Sequence, residues 1–411
     1  MNRVAITGIG IVSALGRGSD ATVDALRAGR SGVRRITSFD TADLNCQIAG
    51  EVPAFELEGP PRAHDRFTRF ALMASAEAAG QGDFRAIGIA PERVGVLIGT
   101  GLGGCETLDA SYRRIYRENA TRVAPTAIAS AMYNAATSAV ATTFGARGVS
   151  YAVVSACASS AHAIGLAAQT IRAGSADAMF AGGADAPLTY GIIRGWEGMR
   201  VLAVDNENPE RACRPFSADR RGLVLAEGAA VLLLENFENA RRRGHPILGE
   251  IAGFGSTSDA GHITDPSADG AARAISMAIA DARVGPDAVG YINAHGTATI
   301  ANDATETKAI KAVFGAYAVP VSSTKSMHGH AMGASGAIEI AGSLLALNDG
   351  FLPPTINLER PDPACNLHHI ANEAAERQVD LFLSNSFGFG GMNAVVAVRT
   401  AVAANLLPNE G

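Results

Sequence analysis

The chain has 411 residues, 47% of them hydrophobic and 18% charged. At ~150 residues per unit that length predicts two or three compact units, and the apolar content excludes a predominantly disordered chain. Lysine and arginine total 34 against 40 aspartates and glutamates, a net charge of −6, which is not the footprint of a nucleic-acid binder. The five cysteines (46, 105, 157, 213 and 365) form no C-x-x-C pair, so neither a zinc knuckle nor a disulfide framework is expected, and a reducing compartment is the simpler setting. The longest apolar stretch, GLVLAEGAAVLLLE, carries Glu227 in its middle, which argues against a membrane span. The opening MNRVAITGIGIVSALG has no A-x-A cleavage site and reads as a mature strand running into a turn. A cytoplasmic protein is expected.

In chain order, strands are expected at RVAITGI (3–9) and RVGVLIGT (93–100), with a helix over about 67–81 between them. YAVVSA (151–156) leads into a helix over about 157–173, followed by strands AMFAGGA (178–184) and AAVLLLE (229–235). The second part alternates again: a helix near 271–283, GYINAH (290–295), a helix near 303–314, VPVSST (319–324), a helix near 333–348, then LFLSNS (381–386) and AVVAVRT (394–400). Short apolar runs alternating with helix-length segments predict an α/β chain with buried sheets.

The two parts echo each other. VGVLIGTGLGG, YAVVSACASSAHAIGLAAQTIRAG, AMFAGGADA and AAVLLLE are answered by VGYINAHGTAT, VPVSSTKSMHGHAMGASGAIEIAGSLLAL, LFLSNSFGFGG and AVVAVRT. This is a duplicated topology with unequal spacers. A boundary at RRRGHP (241–246) divides the chain into halves 1–244 and 245–411, whose equivalent turns would face each other across a site.

Two glycine clusters mimic a dinucleotide fingerprint. GTGLGG (99–104) follows a strand, but no strand ending in an acid comes ~20 residues later. In GIGIVS, Ser13 stands where the third glycine belongs. Tight turn packing is the better reading of both.

Three residues draw attention because each occupies a polar turn between an apolar strand and a helix, where sites in α/β sheets gather. Cys157, in VVSACASSAHAIG, sits at a helix start, where the dipole and free N–H groups favour a thiolate. A buried structural cysteine is the alternative reading. His295 lies in INAHGTATIAND and His330 in SSTKSMHGHAMGASG. A structural role is the commoner fate of a lone histidine, and spacing alone does not separate His330 from His328.

VVSACASSAHAIG, NAHGTAT, SSTKSMHGHAMGASGAIE and NSFGFGGMN, in this order, closely resemble the β-ketoacyl-acyl carrier protein synthases, the elongating condensing enzymes of the thiolase superfamily. The resemblance runs from VAITGIGIVSALG to the last strand. It implies a thiolase-like five-layered αβαβα fold from two duplicated halves, usually a homodimer. It also implies roles. Cys157 matches the acylated nucleophile, His295 and His330 the catalytic histidines, and Lys325 and Glu339 a lysine and glutamate near the second histidine. Phe389 matches a gating aromatic, while Thr297 and Thr299 match contacts to the phosphopantetheine arm. By looser alignment, Leu102 and Trp196 fall in the acyl pocket. Arg62, Arg66, Arg69 and Arg200 are candidates to bind the acidic carrier protein, with a solvated helix face as the alternative.

The implied reaction is a decarboxylative Claisen condensation of an acyl-cysteine with malonyl-acyl carrier protein, in fatty acid or polyketide elongation. It calls for no metal and no organic cofactor. The chain departs from the pattern at Met392, where threonine is common, and at Trp196, where a smaller aromatic is expected. GGADAPLTYGIIRGWEGMR resembles the nodulation-type branch, which suggests a specialised acyl substrate, and a ketosynthase heterodimer is an alternative assembly. A degradative thiolase would need a second cysteine near the C-terminus, yet none follows Cys365. A silent chain-length-factor subunit would lack the active cysteine.

Overall fold

The apolar runs become strands with few exposed residues, and the alanine-rich segments become the helices that cover them. A computed structural model describes residues 2–53 and 64–406. Its principal elements, numbered in chain order, are β1 (Val4–Ser13), α1 (Arg66–Gln81), β2 (Val94–Gly99), α2 (Ala135–Phe144), β3 (Ser150–Val153), α3 (Ser159–Arg172), β4 (Ala178–Asp185), α4 (Tyr190–Met199) and β5 (Gly228–Asn236). The second part contributes β6 (Gly249–Ser258), α5 (Ala268–Asp281), β7 (Tyr291–Asn293), α6 (Ile300–Phe314), β8 (Pro320–Ser322), α7 (Ser335–Asn348), β9 (Leu381–Gly388) and β10 (Met392–Thr400).

The strands fall into two groups of five with one topology. The first runs β3-β2-β4-β5-β1 and the second β8-β7-β9-β10-β6. In both, the first two pairings are parallel and the last two antiparallel. The groups join where β1 meets β6, through the pairs Ala5↔Glu250 and Ile6↔Gly249.

Side chains alternate across each sheet. Leu232 and Leu234 of β5 pack in the central layer with Ile164 of α3 and Leu344 of α7, and Val396 of β10 meets them from the other sheet. Val231 and Leu233 point the other way, toward Phe70 of α1 and Val140 of α2. On the far side, α5 and α6 cover the second sheet through Ile275 and Ile310. The result is the αβαβα order that the family resemblance implies.

One principal strand, β6, was not among those expected from the sequence. Gly253 and Gly255 are there for contact: a Cβ on either would lie 2.2 and 2.0 Å from the carbonyl oxygens of Ala278 and Ala274 in α5. In the first half Gly8 and Gly10 of β1 meet Ala78 and Ala74 of α1 in the same way, at 2.0 and 1.8 Å. The duplication thus includes a glycine pair on the strand and an alanine pair four residues apart on the helix, a spacing that puts both alanines on one face.

This contact is testable. Gly255→Ala should lower stability by about 3 kcal/mol or more, because backbone must move to admit the methyl group. Gly80→Ala, in α1 with nothing within 4 Å of the added carbon, should be neutral or stabilising by up to ~1 kcal/mol. Thermal unfolding of both variants checks the contrast, and equal melting temperatures would refute it.

Candidate active site

Cys157 lies in the turn between β3 and α3. Ala156 adopts a left-handed conformation with φ 51°, which turns the chain sharply enough to bring the next side chain into the interior. The turn is held by Ala158 N–H to Ser155 O (3.1 Å) and by Ser159 Oγ, which donates to Ala156 O (2.6 Å) and accepts from Ser155 N–H (2.9 Å). His162, one turn into α3, bridges Ser155 Oγ and Ser256 Oγ of β6, each at 2.8 Å. The Cys157 turn is therefore tied to the sheet of the opposite half.

His330 reaches the same place from the second half. Its main chain is clamped to the first half, by its N–H to Val224 O (2.7 Å) and by its carbonyl from Ala226 N–H (2.9 Å). His330 Nε2 is 3.1 Å from the Cys157 sulfur. The His295 and His330 rings meet edge to face, with centroids 5.5 Å apart. Ligating atoms of Cys157, His295 and His330 all lie within 4.8 Å of one another. His328 points elsewhere, with Nε2 3.1 Å from Thr324 Oγ1, so the geometry decides between the two candidate histidines.

The electrostatics follow from burial. Cys157 is 4% exposed, and burial raises its thiol from 9.0 to about 11 despite the Lys325 charge and the Phe389 N–H group, which both favour the anion. The net shift is worth about 3 kcal/mol, more than a helix terminus supplies. Burial thus works against the thiolate that the helix start favours, and an adjacent base would assist removal of the proton. Both imidazoles are held well below their ordinary value, first by burial and then by Lys325, so both are neutral. Lys325 and Glu339, each fully buried, form an ion pair, and Lys325 Nζ lies 3.4 Å from His295 Nδ1. An ammonium only donates, so His295 Nδ1 keeps its lone pair and Nε2 carries the hydrogen. The Cys157, His295 and His330 donor set also suits zinc, but the ammonium beside His295 opposes a second positive charge there.

Two carboxylates escaped the sequence reading. Glu306 of α6 accepts from the N–H groups of His295 and Gly296, both at 2.8 Å, and from Asn385 Nδ2 at 3.0 Å, fixing the histidine turn. Asp185 accepts from Thr100 Oγ1 (2.7 Å) and from the N–H groups of Gly101 (2.7 Å), Leu102 (3.1 Å) and Gly333 (2.7 Å). The amides that a phosphate would need in GTGLGG are thus occupied by an internal carboxylate, and Asp185 pins that turn to the His330 segment. Each carboxylate follows its turn by about ten residues or more in sequence, so no local motif announces it.

A cavity of about 410 Å³ opens onto Cys157, His295 and His330, lined also by Thr297, Thr299, Trp196 and Phe389. The Thr297 and Thr299 hydroxyls are 2.9 Å apart. Trp196 of α4 stacks on Phe389 with ring centroids 5.7 Å apart. Leu102 does not line this cavity; its N–H holds Asp185 instead. Arg66 is also corrected as a carrier contact, because its guanidinium grips Glu227 in two hydrogen bonds of 2.8 and 2.6 Å. Arg69 lines a separate cavity beside Asp65 and Glu106. Arg200 is exposed and follows Met199, which lines the main cavity. Arg62 lies outside the described residues.

Comparison with known proteins agrees with this geometry. Residues 1–240 match the N-terminal domain of β-ketoacyl synthase and residues 248–359 its C-terminal domain. The chain is 42% identical to nodulation protein E of Rhizobium sp. over 403 residues, covering 97% of this chain and 99% of that one. It is 41% identical to the 3-oxoacyl-[acyl-carrier-protein] synthase 2 of Synechocystis sp., covering 97% and 98%. Among solved structures, the ishigamide ketosynthase/chain length factor superposes with a TM-score of 0.92 at 33% identity, covering 97% of this chain and 99% of that one. The two matched domains and the whole-length relatives place the chain in the β-ketoacyl synthase family, the condensing enzymes of fatty acid and polyketide elongation.

Proposed function

We propose that Cys157, His295, His330 and Lys325 carry out the condensation, with Phe389, Thr297, Thr299 and Trp196 lining the substrate path and Glu339 balancing Lys325. The observation that carries this reading is the 3.1 Å approach of His330 Nε2 to the buried Cys157 sulfur. His330 takes the thiol proton as Cys157 attacks an acyl thioester. The bond from the acyl carbon to the carrier's sulfur breaks, and His330 returns the proton to that sulfur. The malonyl group then loses carbon dioxide, and its bonding pair becomes an enolate. The Nε2–H groups of His295 and His330 hold the enolate oxygen. The enolate carbon attacks the acyl-cysteine, the N–H groups of Cys157 and Phe389 face the oxyanion, and the carbon–sulfur bond breaks to release β-ketoacyl product. The freed thiolate regains a proton from solvent. Such donors cost no reorganisation at the moment of reaction.

The donor acyl group and the malonyl unit both arrive on an acyl carrier protein, and exposed Arg200 beside the cavity mouth suits its acidic surface. The subunit partner is a second copy of this chain. β3 is the outer strand of its sheet, and Tyr151, Val154, Ile128 and Met132 are exposed, an apolar set with an open edge that a matching strand would cover. A ketosynthase heterodimer is the second reading, favoured by the likeness to the ishigamide ketosynthase/chain length factor. Trp196 against Phe389 favours a specialised acyl chain over ordinary saturated ones. The division at 244/245 follows the repeated strand order. The setting is the cytoplasm: all five cysteines are free, as a reducing compartment keeps them.

Intact-protein mass spectrometry with acyl-carrier substrates of graded length should show acyl mass on the wild type and none on Cys157→Ala. Labelling of the variant would overturn the nucleophile assignment, and the same panel ranks chain lengths. His295→Ala should still acylate but release carbon dioxide from malonyl carrier ~100- to 1000-fold more slowly; undiminished release would remove His295 from the enolate site. The imidazoles stay neutral as pH falls through 6.5, because their folded values lie well below it. The acylation rate should therefore hold between pH 7 and 6, where an ordinary histidine would lose most of its activity as a base. A fall centred near pH 6.5 would contradict this.

A further inference from the structure

Ser335, fully buried, is the first residue of α7. Its Oγ lies 2.8 Å from His330 Nδ1, on the far side of the ring from the sulfur that Nε2 approaches. Serine, imidazole and thiol therefore form one hydrogen-bonded line. The contrast with His295 is chemical. The partner of His295 Nδ1 is Lys325, a donor only, which fixes one tautomer. A hydroxyl both donates and accepts, and it rotates about a single bond.

The two half-reactions ask opposite things of His330, an argument that rests on the condensing reading above. To take the thiol proton, Nε2 must hold a lone pair, so the resting hydrogen sits on Nδ1 and Ser335 Oγ accepts it. To hold the enolate oxygen, Nε2 must carry the hydrogen, so Nδ1 holds the lone pair and the Ser335 O–H donates to it. The exchange is a net shift of one proton from Nδ1 to Nε2, relayed by solvent admitted through the cavity between the two substrates, and it leaves the ring's charge unchanged. The ring is neutral before and after, which the dry pocket requires.

We propose that Ser335 is a positioning residue that lets His330 change tautomer between acylation and condensation, while Lys325 keeps His295 fixed as a donor. The histidines are then unequal by design of their rear partners: one serves both half-reactions and the other only the second.

Histidine-¹⁵N solid-state NMR of the whole enzyme tests this directly, with His330 identified by its loss in His330→Asn. The hydrogen should be on Nδ1 in the free wild type and on Nε2 once Cys157 is acylated. The same tautomer in both states overturns the proposal. Ser335→Ala should lower kcat of the condensation step about tenfold, the size of one lost buried hydrogen bond, with KM for malonyl carrier unchanged, and Ser335→Thr should recover most of the loss. An unchanged kcat in Ser335→Ala, or a loss that threonine does not recover, counts against it. A wild type that gains no acyl mass on Cys157 defeats the condensing reading itself; acyl mass with an unmoved tautomer defeats only the role of Ser335.

Discussion

The active site depends on one constraint: the pocket is so dry that any charge in it needs a counter-ion or a set of hydrogen bonds. Burial raises the thiol and lowers both imidazoles, so the surroundings favour the neutral form of all three. The single ammonium nearby, Lys325, is balanced by Glu339. Removing one partner of a buried pair leaves an uncompensated charge, which is far more costly than the pair itself. The same dryness makes hydrogen bonds to a developing enolate or oxyanion strong. In the proposed reaction the protein excludes water and offers neutral donors where the anion would appear.

Much of this was legible in the sequence. The nine strands expected from apolar runs all form, and the five helices lie within a few residues of their expected limits. Cys157, His295 and His330 announce themselves because strand, turn and helix are local patterns that recur in both halves. What stayed hidden is non-local. β6 was missed because its glycines serve a helix that follows them, and only the packed pair shows their purpose. Glu306, Asp185 and Ser335 were missed because carboxylates and serines in ordinary helices and strand ends carry no motif. The environment of Cys157 was legible only in part: the helix start is visible in sequence, but the depth of burial that opposes a thiolate is not. Arg66 could not be told from a surface arginine until Glu227, 161 residues away, appeared beside it.

The two halves contribute unequally but interlock. The first supplies the sulfur and the second both imidazoles, and the pieces that bind them cross over. His162 of the first half holds Ser256 of the second, Asp185 holds Gly333, and the His330 main chain hydrogen-bonds the segment before β5. The sheets themselves share only two residue pairs. The central helices and these polar stitches, rather than a continuous ladder, set the distance from sulfur to nitrogen.

The outermost strand of the first sheet, β3, runs straight into Ser155 and Cys157. Its free edge and the reactive turn are one piece of backbone, separated by a single residue. A partner docked along that edge would lie against the backbone that leads into the Cys157 turn. In a lone subunit the sulfur follows an edge strand that is paired on one side only, so a subunit seated there would border the reaction turn.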